Sequence, residues 1–247
     1  MLRGRVALTA LLVILGFAPA VRTACAGITG ADWSADSNQP GAAWGESVAA
    51  VGDVNGDGWS DFVIGAPLMS GAHGDEGRAF LALGSASGTP TIDFWLCFGG
   101  QAAAHLGDTV AGAGDVNGDG YDDVLVAAPD YDNGQVDEGQ VRLYLGSADG
   151  LSNTPDWTAE GNQGACSFGV GLAGLGDING DGYDDVAIGA PRYSNGEQNE
   201  GRVFVYYGSA AGLPANPSTT REPNVANAQY GFSVASAGDV NADGLAD

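Results

Sequence analysis

One spacing governs this chain: 62 residues. The glycine of an aromatic-or-Leu plus Gly pair recurs at Gly45, Gly107, Gly169 and Gly231, and Asp53, Asp115, Asp177 and Asp239 follow at the same interval. Pro67, Pro129 and Pro191 keep the register, as do Glu76, Glu138 and Glu200, then Gly84, Gly146 and Gly208, and finally Trp33, Trp95 and Trp157. No insertion separates the copies. Such a chain folds as one supersecondary unit repeated, each copy burying a face against the next. The units are placed near 43–102, 104–164, 166–228 and 229–247.

Within a unit the pattern is strand and turn. A stretch rich in Val, Ala and Gly (Glu46 to Val51) leads into an acidic turn. An apolar run, Phe62-Val63-Ile64, then ends at Gly-Ala-Pro. A polar loop precedes a second apolar run, Arg78 to Leu83 or Arg202 to Tyr207, and a Gly-Ser-x-x-Gly turn precedes the Trp-bearing segment. No segment sustains a 3.6-residue period, so helices are not expected. Four strands per unit, with apolar runs nearly continuous because both faces are covered, predict an all-β fold, a β-propeller of four-stranded blades. A row of β-sandwich modules would need about 100 residues per copy.

The acidic turns carry the chemistry. The first reads Asp53-Val54-Asn55-Gly56-Asp57-Gly58-Trp59-Ser60-Asp61, and Asp115 to Asp123, Asp177 to Asp185 and Asp239 to Asp247 repeat it. Positions 1, 3, 5 and 9 are Asp, Asn, Asp and Asp in every copy: Asp53, Asn55, Asp57, Asp61; Asp115, Asn117, Asp119, Asp123; Asp177, Asn179, Asp181, Asp185; Asp239, Asn241, Asp243, Asp247. Hard oxygens at alternate positions, a turn-forming Gly at position 6 and a backbone carbonyl at position 7 suit calcium. An EF-hand is excluded, since position 12 is Ile64, Val126 or Ile188 in an apolar run instead of a bidentate Glu. Plain Asx turns would need no ion. Three carboxylates converging in each turn would repel one another without one. The expectation is therefore calcium in three complete loops, with a fourth at the chain end.

Phe168-Gly169, the Asp177 to Asp185 loop and Gly189-Ala190-Pro191 together resemble the FG-GAP repeat of integrin α subunits and their bacterial relatives. The similarity covers nearly all of Asp32 to Asp247. It implies a propeller, usually of seven blades, with calcium in the loop between the first two strands of a blade and ligands at the opposite face. It also carries over the backbone oxygens of Trp59, Tyr121, Tyr183 and Leu245 as calcium ligands. Trp44, Leu106 and Tyr230 stand in for the Phe, Ala127 for the Gly of the second GAP, and Ala242 for a loop Gly at position 4.

Arg3 and Arg5, the apolar run Val6 to Phe17 and the small residues after it read as a secretory signal, residues 1–26, cleaved by preference after Ala24-Cys25-Ala26 rather than Ala18-Pro19-Ala20. The run is too short to span a membrane. The mature chain, 27–247, is expected to be exported to the extracellular space or cell surface. It holds Cys97 and Cys166 at non-equivalent places, read as two separate buried thiols. About three and a half units remain after cleavage, so the chain is expected to be part of a longer propeller.

All eight basic residues are Arg, against 31 acids, for a net charge of -23. That balance excludes nucleic acid and anionic membranes as partners. No catalytic constellation stands out. His73 and His105 are non-equivalent and read as lone surface residues. Gly169-Val170-Gly171-Leu172-Ala173-Gly174 leads into an acidic turn instead of a helix, so it is no dinucleotide motif. The expected function is a calcium-binding adhesion or recognition module for a protein or glycan, not an enzyme. The recognition loops would be Leu68 to Asp75, Asp130 to Asp137 and Arg192 to Asn199, with Tyr131 and Tyr193 as contacts. The alternative is the propeller portion of a larger extracellular hydrolase, resembling a glycosylphosphatidylinositol-specific phospholipase D, whose catalytic domain lies outside this chain.

Overall fold

The apolar runs pair into antiparallel meanders, one per unit. A computed structural model describes residues 33–93, 95 and 97–247; the expected signal segment lies outside them. The first sheet holds β1 (Val48–Gly52), β2 (Asp61–Ala66) and β3 (Arg78–Leu83), with two short strands, β4 (Thr91–Ile92) and β5 (Cys97–Phe98), both pairing with β3. The second holds β6 (Thr109–Gly114), β7 (Asp123–Ala128), β8 (Gln140–Tyr144) and β9 (Trp157–Glu160) in that order. The third runs β10 (Gly171–Gly176), β11 (Asp185–Ala190), β12 (Arg202–Tyr206) and β13 (Thr219–Arg221). The described residues contain no helix, and the sheets are propeller blades. All three lie in one compact unit, 36–247, distinct from Met1–Ala35.

The burial pattern explains the composition of each strand. Every residue of β7 and β11 is buried: β7 has a sheet on either side, and β11 has the second sheet on one side and the strandless chain around Gly231 and Val234 on the other. One core cluster joins β1–β3 to the second sheet through Val63, Leu81, Leu106, Val124 and Val126. A second cluster joins the second sheet to the third through Leu125, Val141, Phe168, Val186 and Ile188. The innermost strands β1, β6 and β10 lie side by side. Their small residues follow from that: a Cβ on Gly174 would stand 2.5 Å from the Gly112 carbonyl oxygen.

The two motifs of the repeat touch each other. Gly45, Gly107 and Gly169 donate their N–H to the carbonyls of Gly65, Ala127 and Gly189 at 2.9, 2.9 and 3.0 Å. Each first strand also ends in a bulge, between Ala50 and Gly52, Gly112 and Gly114, and Gly174 and Gly176. Gly52, Gly114 and Gly176 take φ of +77°, +75° and +77° there. The bulge turns the chain out of the ladder and delivers it into the acidic loop. Residues 222–247 carry no strand.

Candidate metal centre

Each acidic loop is wired the same way. The position-1 carboxylate accepts the N–H groups of positions 4, 5 and 6: Asp53 takes those of Gly56 (2.8 Å), Asp57 (3.1 Å) and Gly58 (2.7 Å). Asn55 Oδ1 takes the Asp57 N–H at 3.0 Å, and Asp57 Oδ1 takes that of Trp59 at 2.9 Å. The loops beginning at Asp115 and Asp177 repeat these contacts. Gly58, Gly120 and Gly182 have φ of +88°, +93° and +90°, so the left-handed turn at position 6 calls for glycine.

Position 9 differs because it begins the second strand and is buried. Asp61, Asp123 and Asp185 each accept two backbone N–H groups, from Val54 and Gly84, Val116 and Gly146, and Ile178 and Gly208. The N–H of Gly84, Gly146 and Gly208 can come this close only without a side chain, since a Cβ there would stand 2.4, 2.5 and 2.4 Å from the carbonyl oxygens of Ser60, Asp122 and Asp184. Burial pushes Asp123 up to about 7. The two N–H bonds pull the other way, while Asp115 and Asp119 push it further up. Asp61 and Asp185 are raised for the same reasons, with positions 1 and 5 of their own loops as the repelling charges.

The donor chemistry fits a hard divalent cation. Every side-chain donor is oxygen, and the ninth carboxylate already feels the charge of positions 1 and 5. As the loops stand, their carboxylates are turned to backbone N–H groups. Among the described residues no three Asp, Glu, His or Cys side chains converge on one point.

In the fourth loop Ala242 takes φ +60°, the left-handed region that the sequence pattern reserves for glycine. Asp243, Gly244 and Leu245 still donate as their counterparts do, and Val240 N–H still bonds to Asp247 at 2.9 Å. The position-4 N–H bond seen in the other three loops is not among these.

The opposite loops are organised by groups that the repeat pattern alone does not mark as functional. Gln39, Gln101 and Gln163, again 62 apart, each bond twice to a loop residue: Ser70, Asp132 and Ser194. Glu138 and Glu200 are fully buried beneath the loops and accept the N–H of Asn133 and Asn195 at 2.7 and 2.6 Å. Tyr131 and Tyr193 are half-buried and pack against the core. The Arg142 and Arg202 guanidinium groups lie 5.6 and 4.3 Å from their ring centres. Both rings therefore support the loops from beneath. His105 pairs through Nδ1 with Asp130 at 2.6 Å, so it is not the lone residue expected, while His73 is exposed. Cys97 and Cys166 are free and buried.

Comparison with known proteins gives three matches to the FG-GAP repeat, at residues 44–81, 106–144 and 168–206. Integrin alpha-5 of Xenopus laevis is 33% identical over 213 residues, covering 83% of this chain and 19% of that protein. Integrin alpha-V of Gallus gallus is 36% identical over 210 residues, covering 80% and 19%. Integrin alpha-4 of Xenopus laevis is 38% identical over 162 residues, covering 64% and 15%. The chain thus spans less than a fifth of the length of each of these relatives.

Proposed function

Because the chain belongs to the FG-GAP repeat proteins and is integrin α-like, we propose that it is an exported calcium-binding β-propeller that recognises a protein or glycan through the loops opposite its acidic turns. The observation that carries the calcium reading is the ninth-position carboxylate, buried three times over and facing the charges of positions 1 and 5. Asp53, Asn55, Asp57 and Asp61 would hold the ion with the Trp59 carbonyl. Asp115, Asn117, Asp119, Asp123 and the Tyr121 carbonyl would do so in the second loop, and Asp177, Asn179, Asp181, Asp185 and the Tyr183 carbonyl in the third. Asp239, Asn241, Asp243, Asp247 and the Leu245 carbonyl form the fourth set. The ion would supply the counter-charge that lets these carboxylates stay ionised side by side. Its part is structural: it stiffens the turn between the first two strands of a blade. The recognition reading is supported by the doubly bonded glutamines and the buried Glu138 and Glu200, which hold the opposite loops in fixed shapes.

The test is a thermal melt of the protein in calcium, magnesium and chelator. At free calcium about ten times the dissociation constant each site adds about 1.4 kcal/mol, so three loops add about 4 kcal/mol. Chelation is expected to lower Tm on the order of 10 °C, with magnesium a poor substitute. Equal melting in all three conditions would reduce the loops to plain Asx turns.

A further inference from the structure

The acidic loops are interlocked, and the residue between two ligands in one loop holds the first ligand of the preceding loop. Asp122, at position 8 of the second loop, accepts the N–H of Asp53 at 2.7 Å and donates its own N–H to the Asp53 carbonyl at 3.2 Å. Asp184 does the same to Asp115, at 2.9 and 3.1 Å. Gly52 and Gly114 are shaped by this clasp, since a Cβ on either would overlap the incoming carboxylate. Position 7 adds a second contact: a Cβ on Gly56 would stand 2.7 Å from Tyr121 Cε1, and one on Gly118 would stand 2.7 Å from Tyr183 Cε1. The turn that anchors Asp123 through Gly146 also bonds the preceding loop, through Ser147 N–H and the Val54 carbonyl at 3.0 Å.

On this basis, and resting on the cation reading above, we propose that Asp122 and Asp184 are positioning residues that couple cation binding between adjacent blades. Each sits between the position-7 carbonyl and the position-9 carboxylate, so an ion in its own loop fixes it from both sides. Once fixed, it pins the backbone of the ligand that opens the neighbouring loop. An ion in the second loop thereby tightens the first, and by linkage the first tightens the second. The chain carries its own control. The fourth loop has Ala246 at position 8, which keeps only the backbone half of the clasp, to the Asp177 carbonyl at 3.0 Å. The link from the fourth loop to the third is therefore the weaker one.

Terbium(III) is the probe, because Trp59 lies in the first loop and excitation selective for tryptophan reports that loop. Asp122→Ala is expected to weaken terbium binding there about tenfold, the scale of a lost hydrogen bond to a charged group. Asp122→Asn, which keeps an acceptor, should restore most of it. Asp119→Ala, which removes a ligand of the second loop, should also weaken the first several-fold. The loss of Tm in Asp122→Ala should be larger with calcium than in chelator, whereas a purely structural role would lower both equally. Unchanged terbium affinity in Asp122→Ala would overturn the coupling and leave the cation reading standing. No tryptophan-sensitised signal in the wild-type protein would remove both. Should Asp122→Ala fail to fold, Ala246→Asp decides: a gain of Tm that is larger with calcium than in chelator supports the coupling, and an equal or absent gain overturns it.

Discussion

Trp95 is the largest side chain in the core cluster that joins the first two sheets. It is 2% exposed, meets Tyr144 edge-on with ring centres 4.8 Å apart, and donates its indole N–H to the Ser152 carbonyl at 2.8 Å. Trp157 repeats the arrangement one unit on, against Tyr206 at 5.0 Å and the Pro214 carbonyl at 2.9 Å, but is only half-buried. Trp95→Ala is expected to cost about 3–5 kcal/mol by urea denaturation, and Trp157→Ala clearly less. Trp95→Phe keeps a ring but loses the donor, for about 1 kcal/mol from the hydrogen bond. Beside this seam Cys97 donates to the Tyr144 hydroxyl at 3.2 Å, and burial pushes its thiol up to about 11; burial does the same to Cys166. Thiolate, the reactive form, is therefore scarce at neutral pH at both positions. Iodoacetamide followed by peptide mapping should leave Cys97 and Cys166 unmodified in the native protein and label both in urea.

Among the elements, the loop after β11 shows how one outside side chain shapes a loop, as Gln101 does for the loop after β7. Gln163 accepts the Ser194 N–H at 2.7 Å and donates to the Ser194 carbonyl at 2.9 Å. Gln163→Ala is expected to speed hydrogen exchange at the Ser194 amide by about tenfold while the strand amides keep their protection. Unchanged exchange there would show that Glu200 and the strands hold the loop without it. The strands themselves were legible in the sequence: β3 occupies the predicted Arg78 to Leu83, and β2 starts one residue before Phe62. The first strand begins at Val48 rather than Glu46, because Glu46 N–H closes a turn on the Ala43 carbonyl at 3.1 Å. The bulges were not legible, since they are a matter of register between two strands. The glutamines recur at the repeat spacing, yet they are neither apolar nor ligands, and each acts across 31 residues. Asp122 and Asp184 were hidden for another reason. Position 8 is Ser60 in the first loop and Ala246 in the fourth, and the contact spans 69 residues.

At the scale of the whole molecule, charge is the dominant stress. A net charge of -23 with no lysine repels itself, and among the described residues one Arg–carboxylate ion pair, Arg202 with Glu222, stands against it. In chelator, raising sodium chloride from about 20 to about 500 mM should therefore raise Tm, because salt screens the exposed carboxylates. With calcium bound the same salt change should matter much less. A rise of equal size in both conditions would place the repulsion away from the acidic loops. The seams between sheets have one further property. The contacts at the first seam run in one direction along the chain, from Trp95 and Asp53 of one unit to Tyr144, Ser152 and Asp122 of the next. A unit therefore carries a leading edge and a trailing edge, and the two are complementary to each other. A gene segment encoding one such unit, copied in tandem, brings with it both halves of the joint it needs. Growth by duplication requires no new interface to be invented.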